Sequence, residues 1–276
     1  MPLLNSATIG NLISFPPAGG GYDSDAETII TAVEAIDGEA LETTVTDAIN
    51  AFVVGCKADG NWTNLNSGNW RLLAGPRTIE ATMACGGSGD NPSLGSGLDA
   101  TRYNRATGIA GIGGSSSTTA GAIFNFRNND AESQDDKSMG YYATAVVNNN
   151  WAAQMSSGFA PGDSQILNTS GEVKLSIRLN GDSVYSSNIS PAIGLTAVSR
   201  TSSSTIDIYV AGVTDTGVSQ SSATPNTDGT IWLLSRPGSG TRSANQVAFG
   251  FVCPAIPDMA ALEGRVEDYL TSISGI

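Results

Sequence analysis

One stretch of the chain alternates polar and apolar residues without interruption. It runs from Glu172 to Leu179, and every second residue is Val, Leu or Ile. A period of two is typical of a β-strand with one buried face, because successive side chains point to opposite sides of a sheet. The dipeptide Asn180-Gly181 follows directly and favours a tight hairpin turn. This stretch therefore predicts antiparallel β-structure.

Similar apolar runs recur along the second half of the chain and predict further short strands. Their ranges are 122–126, 138–147, 193–200, 205–211, 229–236 and 245–253. Turn-forming residues separate them at the intervals usual in sandwiches. The 33 glycines, with only 14% charged residues, also favour many short strands over long helices. The fold class expected is mainly β, a two-sheet antiparallel sandwich.

Two regions have helical periodicity instead. Residues 25–57 carry apolar side chains at helical spacing, with Asp25 as a candidate cap and a break at Asp37-Gly38, which predicts a helical hairpin. Near the end, Asp258 can cap a short helix whose apolar face begins at Met259. We expect that helix to be stable only when packed against the sandwich.

The chain divides into an extended arm with a linker (1–24), the helical hairpin (25–60) and the sandwich with its C-terminal helix (61–276). A Pro-Pro-Ala-Gly-Gly-Gly break ends the arm. Two alternatives stay open for the arm: it folds back on its own domain, or it reaches a neighbouring molecule as an assembly arm. Its apolar residues are Leu3, Leu4, Ile9, Leu12 and Phe15.

Charge and cysteine content exclude several classes of partner. The net charge of -13 and the lack of a basic patch argue against nucleic-acid binding. No apolar run approaches the length of a membrane span, and the N-terminus lacks a signal-peptide pattern. Cys56, Cys85 and Cys253 have no metal-ligand spacing and are expected to be buried thiols, made in a reducing cytoplasm.

The absence of histidine removes Ser-His-Asp and Cys-His catalysis and His-ligated metals. Glycoside hydrolysis remains conceivable, but it needs paired carboxyls, and Glu172 and Asp207 each stand alone in their strands. Both are expected to be solvated. The acids Glu34, Asp37 and Glu39 lie in the helical hairpin at the wrong spacing. The chain is therefore predicted not to be an enzyme.

Glycan binding is a further possibility, because aromatic rings stack on the apolar faces of sugars. Trp151 follows three asparagines and precedes a Gly-containing loop, so it is the best candidate, with Asn149 and Tyr141 as companions. Core packing is the alternative for Trp151. Trp232 lies inside a strand and is expected in the core.

The densest acidic loop offers the only candidate metal ligands. Asp130, Glu132, Asp135 and Asp136 supply oxygen ligands of the kind that Ca²⁺ prefers. No EF-hand spacing accompanies them, so a plain exposed loop is the alternative, and no cofactor is otherwise expected.

The order of motifs in the second half resembles the concanavalin A-like lectin/glucanase superfamily, in its laminin-G-like jelly rolls. The motifs are 194–200, ending in Ser199-Arg200, then 206–212 (Ile-Asp-Ile-Tyr-Val-Ala-Gly), 231–234 and 247–251. The resemblance implies a jelly-roll sandwich, with Arg200 in a structural role across the sheet. The segments 33–38, 48–60, 73–78 and 103–108 are similar to leaders of such domains in tailed bacteriophages.

That second likeness implies a bacteriophage virion structural protein, either a capsid decoration or a tail-associated module such as a tail fibre. Its partners would be other virion proteins, in a homo-oligomer for which a trimer is one option, assembled in the bacterial host cytoplasm. The alternative is a carbohydrate-binding module that recognises a host-surface glycan. A glycan hydrolase is the third hypothesis.

Overall fold

The computed structural model describes residues 21–87, 92–114, 123–127, 134–147, 153–157, 164–168, 175–181, 185–186, 189–224, 230–236 and 242–276. The predicted arm at 1–20 lies outside these residues, and so do its members Leu3, Leu4, Ile9, Leu12 and Phe15. Within the described chain, none of the helices has both the length and the apolar character to cross a bilayer.

Five α-helices, one 3₁₀-helix (Ala100–Arg102) and fifteen strands are described. The helices are α1 (Ser24–Asp37), α2 (Thr43–Ala58), α3 (Trp62–Ser67), α4 (Ile79–Thr82) and α5 (Met259–Ser272). The first strands are β1 (Asn69–Leu72), β2 (Ser93–Leu94), β3 (Tyr103–Asn104), β4 (Gly108–Ala110), β5 (Ile123–Arg127), β6 (Lys137–Ala145), β7 (Ala153–Ser156) and β8 (Gln165–Asn168). The others are β9 (Leu175–Arg178), β10 (Tyr185–Ser186), β11 (Gly194–Arg200), β12 (Thr205–Val210), β13 (Val213–Ser219), β14 (Thr230–Leu233) and β15 (Gln246–Cys253).

The strands form two antiparallel sheets. The first has eight strands in the order β13-β12-β11-β6-β15-β4-β3, with β1 also pairing to β15. The second has seven strands in the order β10-β9-β8-β7-β14-β5-β2. The predicted sandwich, its N-terminal helical hairpin and its C-terminal helix are all confirmed.

Alternation along each strand decides which core a side chain enters. In β6, Met139 and Tyr141 point between the sheets, while Tyr142 points outward. Tyr141 is 1% exposed, so the prediction that it binds a ligand is wrong. In β14, Ile231 and Leu233 enter the core between the sheets. Trp232 between them is only half-buried, which contradicts its expected core position.

A second core lies on the outer face of the first sheet, where the helices form a third layer. Phe52 of α2 sits 5.4 Å from the ring of Trp70, 5.9 Å from Phe249 and 6.4 Å from Tyr269. The Phe251 ring passes directly over Gly140, where a Cβ atom would lie 2.7 Å from it. Helices and sheet therefore share one hydrophobic cluster.

Buried polar groups tie the two sheets together at one end of the sandwich. Arg200 is fully buried and donates to the carbonyl of Leu179 at 2.8 Å and to the carbonyl of Gln220 at 2.8 Å. It also donates to the Gln220 side chain at 2.9 Å. These bonds reach from β11 to the residue that follows β9, which is the structural role that the resemblance implies. Asn180 takes the left-handed conformation (φ 46°) in the predicted turn.

The helix starts and the cysteines agree closely with the sequence pattern. The side chain of Asp258 accepts from the N–H of Ala261 and caps α5, as predicted. The first helix begins two residues earlier than a cap at Asp25 implies, because Asp23 caps it in place of Asp25. All three cysteines are buried, as predicted, and burial raises the pKa of the Cys56 and Cys85 thiols to about 12.

Ionic contacts fix the turn of the helical hairpin to two loops of the sandwich. Arg105 donates to both carboxylate oxygens of Glu42, at 2.7 and 3.1 Å, and Arg77 lies 2.8 Å from the same carboxylate. Asp37 accepts from the backbone N–H groups of Arg77 and Thr78. The hydrogen bond from Arg105 lowers the pKa of Glu42 to about 2.

This lowered pKa predicts a pH dependence for the Glu42→Gln variant. The folded-state pKa lies below the ordinary value of 4.5, so the ionised carboxylate stabilises the fold above that pH. The contribution is lost as the pH falls through 4.5 towards 2. Urea unfolding should therefore show Glu42→Gln less stable than the native chain at pH 7, with the difference shrinking below pH 4.5.

Glu39→Gln is the matched control, because the Glu39 side chain is 66% exposed and lies 3.5 Å from Arg77. It should change the free energy of unfolding little at any pH. A Glu42→Gln deficit that stays constant from pH 7 to pH 3 would contradict the assignment.

Candidate functional site

A groove opens on the outer face of the first sheet, beyond the edge of the helical layer. Its volume is about 550 Å³, and it lies between strands β11 to β13 and the start of α5. Its polar lining comprises Asp136, Ser199, Thr201, Asp207, Thr214 and Asp258. Its apolar lining comprises Ala197, Ile208, Tyr209, Ala255, Ile256, Pro257, Met259 and Ala260.

The outward positions of β11 and β12 form the floor of the groove. Ser199, Asp207 and Tyr209 point away from the core between the sheets because Val198, Ile206 and Ile208 fill that core. Tyr209 also joins the helical cluster, so it marks where the helical layer ends and the groove begins.

Each of the three carboxylates in the groove has one oxygen held by a backbone N–H group. Asp207 accepts from Gly217 at 2.7 Å, Asp136 from Ala255 at 2.8 Å and Asp258 from Ala261 at 2.9 Å. Within the described residues, the Oδ2 atom of each aspartate accepts no further hydrogen bond. The arrangement presents three oriented acceptors to anything that enters the groove.

The bond to Asp207 depends on an irregularity in the sheet edge. The register between β12 and β13 shifts between Ile206 and Ile208, and Gly217 takes a positive φ of 66° at this bulge. A bulge turns a backbone N–H out of the ladder, which leaves the Gly217 N–H free to bond the outward Asp207 carboxylate.

The wall formed by residues 255–258 is clamped by three successive contacts. The N–H of Ala255 bonds Asp136, the N–H of Ile256 bonds Ser138 at 2.9 Å, and the N–H of Asp258 bonds Asn61 at 3.1 Å. The Asn61 side chain also donates to the Asp258 carbonyl at 2.8 Å. Asn61 follows α2, so the helical layer itself holds this wall in place.

A buried tyrosine–glutamate pair lies at the other side of the floor. The Tyr209 hydroxyl donates to Glu263 Oε2 at 2.6 Å, and the N–H of Leu195 donates to Glu263 Oε1 at 2.8 Å. Burial, together with the hydrogen bond to Glu263, raises the pKa of Tyr209. Both oxygens of Glu263 are therefore engaged in contacts that join α5 to the first sheet.

The predicted site residues are only partly within the described chain. Trp151 and Asn149 lie outside it, so their glycan-binding role stays a prediction. Asp130 and Glu132 also lie outside, whereas Asp135 and Asp136 are described. No group of three acidic or cysteine ligands suited to a metal ion occurs among the described residues.

Asp135 and Asp136 have different surroundings. Asp135 Oδ1 is buried without a hydrogen-bond partner in the described chain, and Asp136 lines the groove. The prediction of a calcium ion at this loop stays a prediction.

Sequence reasoning missed most of the groove. It took Asp207 for a solvated side chain, although Asp207 occupies an outward position on a strand whose Ile206 and Ile208 point inward. That alternation was a usable signal. No comparable sequence signal marks Thr214, because its place in the groove depends on the pairing of β13 with β12.

Comparison with known proteins gives fold-level likeness only. No protein-family model matches the chain, and neither does any curated protein sequence. Among solved structures, it is similar to the CBM40 of a Ruminococcus gnavus IT-sialidase, with 11% identity and a TM-score of 0.38, covering 56% of this chain and 92% of that one. It is also similar to domain 4 of AbnA, a GH43 extracellular arabinanase from Geobacillus stearothermophilus, with 10% identity and a TM-score of 0.36, covering 61% and 92%.

A third similar structure is the binding domain of botulinum neurotoxin serotype D. The identity is 9% and the TM-score 0.43, with 78% of this chain and 52% of that one covered. Likenesses this distant assign neither a family nor a ligand to the chain.

The Tyr209–Glu263 pair predicts a stability effect that is specific to one hydroxyl. Tyr209→Phe leaves the buried carboxylate with one donor fewer and should lower the free energy of unfolding by about 1.5–3 kcal/mol, measured by urea denaturation. Tyr142→Phe is the control, because its hydroxyl lies 3.4 Å from Glu267. The control should cost less than about 0.5 kcal/mol, and equal losses in the two variants would refute the role given to Glu263.

Proposed function

We propose that this chain is a carbohydrate-binding module that holds a short oligosaccharide in the groove. The supporting observation is the set of three groove carboxylates. A backbone N–H group orients each of them through Oδ1, and among the described residues the Oδ2 atom of each accepts no hydrogen bond. Sugar hydroxyls are donors, and such fixed acceptors bind them without having to be ordered first.

The rest of the lining suits the same class of ligand. A sugar ring has apolar C–H faces, and Pro257 and Met259 supply apolar surface beside the acceptors. Thr201 and Thr214 add exposed hydroxyl groups at the rim. The volume of about 550 Å³ lies within the range of about 300–1,000 Å³ that small-molecule sites occupy.

Binding without hydrolysis is part of the proposal. Hydrolysis of a glycosidic bond uses one carboxyl group as acid and another as base or nucleophile on opposite sides of the bond. Glu263, the glutamate beneath the floor, has both oxygens engaged with Tyr209 and Leu195, so it is not available for either task. The proposal gives the three groove aspartates the role of hydrogen-bond acceptors for sugar hydroxyls, not of acid and base.

The other predictions for this chain concern its setting, and no described contact tests them. A place in a bacteriophage virion, virion partners and a homo-oligomer stay predictions. A virion protein can also bind glycans, so the groove is compatible with that setting.

Blocking the groove tests the proposal. Thr214 lies exposed on the edge strand β13 and lines the groove, so Thr214→Trp should fill the space while suiting a β-strand. Binding of cellotriose, mannotriose and galactotriose would be measured by calorimetry. We expect the native chain to bind at least one of these neutral trisaccharides, and Thr214→Trp to bind it at least about tenfold more weakly.

Ser219→Trp is the matched control, because Ser219 is exposed on the same strand and is not part of the groove lining. It should bind like the native chain. The proposal fails if none of the three sugars binds, or if Thr214→Trp and Ser219→Trp bind equally well. Release of shorter sugars during the incubation would refute binding without hydrolysis.

A further inference from the structure

The groove carries negative charge that no Lys or Arg of its described lining offsets. Its described lining includes Asp136, Asp207 and Asp258 and contains no Lys or Arg. Two cations are adjacent to the groove in sequence: Lys137 follows Asp136, and Arg200 lies between Ser199 and Thr201. Both are fully buried and face away from the groove.

The directions of these two side chains explain the charge of the groove. The Lys137 ammonium lies 3.2 Å from Asn180 Oδ1, and Arg200 donates to Leu179 and Gln220, all on the side of the second sheet. Alternation along β6, β11 and β12 therefore sends Lys137 and Arg200 inward, and Ser199 and Asp207 outward.

The start of α5 does not reverse this charge. A helix N-terminus carries a partial positive charge equivalent to roughly +0.5. The Asp258 carboxylate caps that end and accepts from the Ala261 N–H, so its full negative charge outweighs the partial positive one. The whole chain, at -13, adds a field of the same sign.

We propose that the groove selects uncharged glycans and rejects carboxylated ones such as uronic or sialic acids, with Asp136 and Asp207 as the specificity-determining residues. The inference rests on the proposed function. A carboxylated sugar would lose water and lie beside fixed carboxylates, whereas the hydroxyls of a neutral sugar donate to them. Repulsion between like charges weakens with salt, so the selectivity should also weaken with salt.

Pairs of sugars that differ only in charge give the test. Cellotriose, mannotriose and galactotriose are each compared by calorimetry with the counterpart oxidised to the carboxylate at every C6. At low salt the native chain should bind the neutral member at least about tenfold more tightly. Repulsion between like charges that lie close together is large enough to produce a difference of this size. About 0.5 M NaCl should reduce that ratio.

The double variant Asp136→Asn/Asp207→Asn keeps an oxygen for the Ala255 and Gly217 N–H groups while removing two charges. It should reduce the neutral-to-acidic affinity ratio well below the native value, although Asp258 keeps its charge. Glu27→Gln/Glu80→Gln removes two charges from exposed positions on α1 and α4 and should keep the native ratio.

The outcomes separate the two claims. One outcome is that an acidic sugar binds as tightly as its neutral counterpart and that Thr214→Trp abolishes this binding. The charge selectivity is then wrong and the glycan-binding function stands. A selectivity that the control variant reduces as much as the groove variant also overturns the inference. If no sugar of either kind binds, both claims fall.

Discussion

An aromatic cluster packs between the helices and the first sheet and joins them into one structure. Phe52 inserts among Trp70, Phe249 and Tyr269, which come from distant parts of the chain. A sandwich needs only its inner faces to be apolar, but here β15 is buried on both sides. Val247 and Val252 face the second sheet, while Phe249 and Phe251 face the helices. Without the helical layer, this second aromatic face would be exposed to water.

The helical layer covers only part of the first sheet, and the groove lies over a part that the helices leave uncovered. Tyr209 belongs to the helical cluster, yet Asp207, two residues earlier on the same face, lines the groove. The clamp from Asn61 to Asp258 then places the start of α5 as one wall of the groove. The helices therefore stabilise the sheet and also build the site, which gives the N-terminal hairpin a function besides covering apolar surface.

Helices and strands are easier to predict from the sequence than the direction in which each of their side chains points. Alternation and apolar runs located β6, β11, β12 and β15 to within about two residues, because strand patterning is local. The role of Tyr141 could not be decided in this way. Tyr141 and Tyr142 are adjacent, and only the position of the partner strands shows which of them enters the core between the sheets. The groove needs contacts between β12, β13 and α5, which are distant in sequence, so its composition followed only from the structure.

Native-state hydrogen exchange can show whether the helices and the sandwich fold as one cooperative unit. The free energy of opening would be measured for amides of α2, α5, β6 and β15 as denaturant is added. Because one cluster spans these elements, their most protected amides should converge on the same free energy and the same denaturant dependence. Exchange of α2 and α5 through a separate opening of lower energy, with β6 and β15 still protected, would contradict the account.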